Sequence, residues 1–326
     1  MSGGAAARLG CRHGASRRPH SALSWKVKMK THDRDVFFKY ATAETAKLIL
    51  RDLTLRWSSP AVFNDPFDTQ LDLQFGFEPD EFIEPMQRAF GALVFADEEP
   101  TWVLSEKIGP VVRMLRLVRH KLSRDEFVRQ AREGLAEGTR DVVRTLGLVR
   151  DSWPEYVRRM RVLCVGEEHD NILMWSHYAY HHRGVAITLR CIPERDTPLC
   201  AAKPIIYSST IPVVAGLDEY VRHCTGESRL AFDQTFFDLT FTKSAHWSYE
   251  REWRCWVLAR PGEEGGLWEA NVLEPEEVDS VYLGCRIVED DRNAILGLVE
   301  SRLKHVKVFQ GRIERRLFAL AFDQIR

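Results

Sequence analysis

The chain has 326 residues, 44% of them hydrophobic, enough for a large core in one elaborated domain or two. No run approaches the roughly 18 apolar residues needed to span a membrane. The first 30 residues hold seven Lys or Arg and no acid, which leaves 39 basic against 47 acidic side chains, about −8, in the rest. Such an acidic body carries no electrostatic footprint for nucleic acid.

Seven cysteines are scattered without any Cys-x-x-Cys pair, which predicts reduced thiols in a cytoplasm and no disulfide framework or zinc ribbon. Residues 1–30 are rich in Ala, Ser, Gly and Arg and lack an apolar run of signal-peptide length. With Met29 at their end, they read as a disordered basic leader or an upstream-extended start. Residues 31–326 read as a single α+β domain with a helical insertion at about 78–160.

Val36–Tyr40 reads as a strand, and Thr42 then caps a short helix with apolar positions at Ala46, Ile49 and Leu50. Leu53–Trp57 alternates and predicts a second strand. Phe63-Asn64-Asp65-Pro66-Phe67-Asp68 follows as a proline-pinned turn whose Asx side chains can bond their own backbone. A loop this aromatic is expected to pack down on something.

Helical spacing runs through Asp80–Phe95, Val111–Leu122 and Arg124–Leu146. Arg113, Arg116 and Arg119 recur every third residue, which reads as a solvated stripe on an amphipathic helix. Strands return at Arg161–Val165 and Val185–Leu189, flanking a helical turn at Ile172–Ala179. Lys203–Tyr207 reads as a strand and Leu217–Leu239 as a helical stretch. Val281–Gly284, a helix at Asp290–Leu303, and strands near Val306–Phe309 and Phe318–Phe322 complete the chain. Strands and helices without regular βαβ spacing predict α+β, with a mixed, split β-sheet core.

The stretch Thr242–Leu258 carries the densest chemistry. It is rich in β-favouring aromatics, and strand alternation places Glu250, Glu252, Arg254 and Trp256 on one face and Tyr249, Arg251, Trp253 and Cys255 on the other. Two carboxylates so close repel unless a cation, a ligand or solvent separates them. Lys243 and Arg254 are the nearest cations in sequence. The pair reads either as an exposed, salt-bridged strand or as a site.

Several motifs in order resemble a known bacterial family catalogued as domain of unknown function 2971. They are Phe38-Lys39-Tyr40, Ser58-Ser59-Pro60 with the Asn64–Asp68 turn, and Met174-Trp175-Ser176-His177-Tyr178-Ala179 with Gly184. Lys243 with Trp247, Tyr249, Glu250, Glu252, Trp253 and Arg254 continues the resemblance, as does Tyr282-Leu283-Gly284-Cys285. It extends from about Val36 to the C-terminus. Where family members often carry Arg, this chain has Ala41, so that cation's role is not carried over.

The order of parts is also similar, by analogy, to ADP-ribosyltransferases. That analogy implies NAD as substrate, with Glu252 as the catalytic carboxylate on the ribose and Glu250 orienting an acceptor. Lys39, Tyr40, Asn64, Asp65, Trp175, His177, Tyr178, Lys243, Tyr249 and Arg254 would bind the nucleotide. A late Glu suits this chemistry because cleaving an N-glycosidic bond builds oxocarbenium character that a carboxylate stabilises. Burial would raise the pKa of Glu252 unless Lys39, Arg254 or Lys243 pairs with it. On this reading Glu252→Gln silences the chain and leaves its melting temperature nearly unchanged.

Two other classes remain open. His177 and His181, four apart, would share a helical face as metal ligands of a hydrolase, with Asp170 or Glu168 as a third, although no His-Glu-x-x-His is present. A non-catalytic, nucleotide-sensing module in defence or stress response would use Trp57, Trp175, Trp247 and Trp253 for stacking, though each also suits a core. Cys164 and Cys255 sit in apolar contexts where thiols are inert packing. The macromolecular acceptor is left open, and no metal or membrane partner is expected.

Overall fold

The computed structural model describes residues 30–326, except Leu122 and Pro261. The expectation for the leader lies outside the described residues. The chain is α+β, built on a mixed sheet. Its elements run β1 (Val36–Ala41), α1 (Ala43–Asp52), β2 (Thr54–Ser58), α2 (Ile83–Phe95), α3 (Gly109–Val118), α4 (Arg124–Arg159) and β3 (Met160–Gly166). They continue as α5 (Ile172–His177), β4 (Val185–Arg190), β5 (Lys203–Pro204), β6 (Ile206–Ser208), α6 (Leu217–Thr225), α7 (Phe232–Phe241) and β7 (Thr242–Ser244). The last are β8 (Glu252–Leu258), β9 (Trp268–Val272), β10 (Val278–Leu283), α8 (Glu289–Arg302), β11 (Lys307–Ile313) and β12 (Leu320–Gln324).

Local chemistry sets the early turns. The Thr42 side chain accepts from the Thr45 amide and caps α1, whose buried face carries Ala43, Ala46, Ile49 and Leu50. Leu53 closes the helix in the left-handed region, φ 50°, its amide donating to the Ile49 carbonyl. β2 can therefore start at once.

A 10-stranded sheet runs β12-β11-β10-β4-β1-β3-β2-β9, with β8 also on β3 and β5 on β8. β1 pairs with β4 along its whole length, Val36 opposite Arg190 to Ala41 opposite Val185. One edge of β3 pairs fully with β8, from Met160 opposite Leu258 to Gly166 opposite Glu252. The other edge is divided. β1 meets it only at Phe38 opposite Gly166, and β2 only at Ser58 opposite Val162. The sheet thus forks between β1 and β2, with Leu163–Val165 at the fork.

Phe37, Leu50, Ile187, Val281 and Val299 are part of one core, the layer packed by α1 and α8. Phe38, Tyr40, Met174, Trp175 and Ala186 form a second core with Tyr249 and Phe322. Helices α2–α4 fall between β2 and β3, and Phe90, Val94, Val112 and Phe127 give them a core of their own.

Several elements depart from the sequence reading. Arg116 and Arg119 are not a solvated stripe. Arg116 Nε donates to the Leu93 carbonyl at 2.8 Å, and its Nη2 donates to Ala96 O, while Arg119 also donates to Ala96 O. They satisfy the carbonyls that the C-terminus of α2 leaves unpaired. The stretch 217–239 is two helices, because α6 stops at Gly226, which takes φ 91°. β9 pairs with β2 from Thr54 opposite Val272 to Ser58 opposite Trp268. The motif at Gly184 is steric: a Cβ there would strike the Ala41 carbonyl, so only glycine lets β4 begin against β1.

Candidate functional site

Burial of charge marks the fork. Lys243, Glu250, Glu252, Arg254 and Asp68 are all buried. Lys243 leaves the short β7. Glu250 ends a 3-10 turn over Ala245–Glu250, and Glu252 and Arg254 share one face of β8. The uninterrupted strand expected from Tyr249 is therefore broken at Arg251, which sits in the left-handed region at φ 43°. The reversal still points both glutamates at one ammonium. Lys243 Nζ lies 2.5 Å from Glu250 Oε2 and 3.0 Å from Glu252 Oε2, with Asp68 Oδ2 at 3.6 Å.

Arg254 fixes the other side. Its Nε donates to Glu252 Oε1 at 2.6 Å, and its two terminal nitrogens donate to both Asp68 oxygens at 2.9 and 2.6 Å. One of them also donates to the Thr240 carbonyl, and the guanidinium stands over the Phe63 ring. A planar fork matched to a carboxylate is the strongest pairing such a group makes. Both oxygens of Glu252 are thereby occupied. Both oxygens of Glu250 are too, since the Tyr178 hydroxyl donates to Oε1 at 2.6 Å.

The two carboxyls differ in charge balance. Burial would raise the pKa of Glu252, yet the charges of Arg254 and Lys243 together hold it well below the usual carboxylate range. Glu250 moves the other way: its burial and the neighbouring Glu252 charge push it up, against the pull of Lys243. Burial disfavours the Lys243 ammonium, but Glu252, Glu250 and Asp68 more than restore it. Three carboxylates thus share two cations, and Glu250 is the least compensated.

Two openings flank Lys243. A cavity of about 170 Å³ lies in the fork itself, reached by Lys39, Tyr40, Phe63, Asn64 and Tyr178 as well as the ionic cluster. Lys39 Nζ donates across the fork to the Cys164 carbonyl at 2.9 Å, standing in for the ladder bond that the divergence of β1 removes. Tyr40 sends its hydroxyl to the Glu168 carbonyl. The second opening is a groove of about 650 Å³ where Lys243 meets Trp247, Tyr249, Asp65 and a set of Ser and Thr hydroxyls.

The expected site residues separate accordingly. Lys39, Tyr40, Asn64, Tyr178, Lys243, Glu250, Glu252 and Arg254 come together in the fork. Asp65 and Tyr249 line the groove, and Asp65 also accepts from the Phe67 amide to make its turn. Trp175 is fully buried behind Tyr40 and donates to the His169 carbonyl. His177 is exposed and lines neither opening; its ring lies 6.2 Å from Tyr249. Helix α5 ends at His177, and Tyr180, His181 and His182 turn left-handed, so His177 and His181 share no helical face. Among the described residues, no group of three His, Cys, Asp or Glu stands placed to hold a metal ion.

Asp68 joins the cluster without a signal in the sequence: Lys243 and Arg254 already balance the two glutamates, and Asp68 reads only as the end of the aromatic turn. Tyr207, whose hydroxyl accepts from the Glu252 amide at 2.8 Å, gave no signal either.

Fold and cluster define a mixed α+β protein with a buried ionic site in a divided sheet. Residues 174–255 match the model of the family described as "Protein of unknown function (DUF2971)". The matched segment carries Tyr178, Lys243, both glutamates and Arg254, so the resemblance read from the motifs holds over most of the cluster. No curated protein and no solved structure matches the chain.

Proposed function

We propose that the fork binds the cationic ring of a nicotinamide N-riboside and that the chain cleaves its N-glycosidic bond, NAD being the form the sequence suggests. One observation carries this reading: Glu250, Glu252 and Asp68 line a cavity in the sheet with Lys243, Arg254 and Lys39, and the Lys39 ammonium is turned to the Cys164 carbonyl. Glu250 shares its one close cation, Lys243, with Glu252, and a positively charged ring would sit against it. The oxocarbenium ion that forms as the ring leaves would be stabilised by the same carboxylates. At about 170 Å³ the fork suits a single ring, below the roughly 300–1,000 Å³ of larger ligand sites.

In this reading Glu250 is the working carboxylate. The C1′–N bond breaks with its electron pair leaving on nicotinamide, and water adds at C1′ and loses a proton. A carboxylate whose pKa burial pushes up is a better base for that proton than an ordinary one. Glu252, held by Arg254 and Lys243, positions Lys243 and the strand.

The saturation of all four glutamate oxygens favours a second reading, binding without turnover. One experiment separates the two. Purified chain is incubated with NAD at millimolar concentration, nicotinamide release is followed by chromatography, and the melting temperature is recorded with and without NAD. Release that falls by two or more decades in Glu250→Gln, about 2.7 kcal/mol of barrier, supports the enzyme. A raised melting temperature without release supports the binding module. Neither effect, with nicotinamide riboside substituted for NAD as well, removes both readings.

A further inference from the structure

The groove beside Lys243 has a composition that narrows the substrate. Its aromatic wall is Trp247 and Tyr249, 6.0 Å apart, with the Lys243 ammonium 5.1 Å from the Trp247 ring centre. Six Ser and Thr residues line the groove: Ser208 and Thr210 bond one another at 3.1 Å, and Ser244 bonds His246 Nδ1 at 2.9 Å. Hydroxyls beside aromatic faces suit the ribose of a nucleoside.

Phosphate is another matter. Among the described residues lining fork and groove, four carboxylates (Asp65, Asp68, Glu250, Glu252) face three cations (Lys39, Lys243, Arg254). Arg254 and Lys243 are consumed by the buried cluster, and Lys39 is committed to the Cys164 carbonyl. Among the described residues, no Arg lines the groove to take a phosphate bidentately. On β1, the position after Tyr40 holds Ala41, which is buried and brings no charge.

We infer that the substrate is a nucleoside with a cationic base and no phosphate, its ring in the fork and its ribose toward the hydroxyls of the groove. This rests on the reading of the fork as an N-riboside site and names its substrate class. The net negative lining repels a phosphate monoester or pyrophosphate and attracts the ring cation, so each added phosphate lowers affinity.

Calorimetric titration of the whole chain with nicotinamide riboside, nicotinamide mononucleotide and NAD tests it. Nicotinamide riboside is expected to bind about tenfold or more tightly than either phosphorylated form, a difference that shrinks as salt rises. Ser209→Lys, which sets an ammonium at the exposed rim of the groove, is expected to recover about tenfold for the mononucleotide and little for the riboside. If the mononucleotide or NAD binds wild-type chain as tightly as the riboside, the inference falls and the N-riboside reading stands. If none of the three binds, both fall.

Discussion

Replacing Glu252 by Gln tests how far the cluster is structural. The side chain is buried, with Oε1 on Arg254 Nε at 2.6 Å and Oε2 on Lys243 Nζ at 3.0 Å. An amide can keep one acceptor, but its NH₂ must then face a cation, donor against donor. Hydrogen bonds to charged groups contribute about 1.5–3 kcal/mol each, and the amide forfeits most of two. Relief of repulsion with Glu250 and Asp68 offsets part of this. A net loss of about 2–4 kcal/mol remains, or roughly 5–10 °C at the 2–4 °C per kcal/mol of domains somewhat smaller than this one. Glu252→Gln is therefore expected to melt well below wild type, unlike the near-neutral change that an exposed strand would give. Scanning calorimetry at pH 7 measures it, and Glu252→Gln with Lys243→Met should lose at least about 1 kcal/mol less than the two singles summed. A melting temperature within about 2 °C of wild type would refute the reasoning, because it would mean that the paired oxygens contribute nothing.

Asp68→Ala leaves Arg254 buried with one carboxylate in place of two, and loss of a buried partner costs about 3–5 kcal/mol. Urea unfolding should show it as a lower midpoint at unchanged slope, whereas a change below about 1 kcal/mol would deny Asp68 its place in the network. The two glutamates should oppose each other in pH. Glu250, with its folded pKa raised, stabilises less as pH rises through that value, so wild-type stability relative to Glu250→Gln should grow as pH falls from 7 toward about 4.3. Glu252, with its folded pKa depressed, contributes stability above about 4.3 that is lost on further acidification. The difference curve against Glu250→Gln cancels the titrations the two chains share, and a flat curve would remove Glu250 as a raised carboxyl.

Much of the fold follows from local rules. The Thr42 cap, the apolar stripe of α1 and the apolar run Val162–Val165 of β3 are each sufficient in isolation, and the structure places them where spacing puts them. The fork was not legible in that way. Whether β1 continues along β3 depends on α1 and β2 competing for the same edge, a choice made by tertiary packing. The β-favouring neighbours of Glu250 predict a strand there, yet it ends a 3-10 turn. The left-handed turn at Arg251 overrides that preference, and no Gly or Asn announced it. On its own helix Arg116 reads as solvated, while its partners are carbonyls at the C-terminal end of α2, 20 or more residues earlier.

The third carboxylate of the ion-paired cluster, Glu250, is the strongest support for a cluster that does more than close the fork. A divided sheet must fill the gap between its arms, and Lys39 on the Cys164 carbonyl already satisfies the open backbone. Arg254 with Asp68 and Lys243 with Glu252 would make a neutral plug. Glu250 adds a third buried carboxylate, raises its own pKa and weakens the compact state at neutral pH. A plug selected for stability alone gains nothing from it, since the Tyr178 hydroxyl could bond a neutral amide equally well. Local choices that oppose the fold are expected where function imposes them. On the proposed reading Glu250, touching Tyr178, Lys243 and the open cavity together, is such a choice, and the rest of the cluster is the frame that aims it.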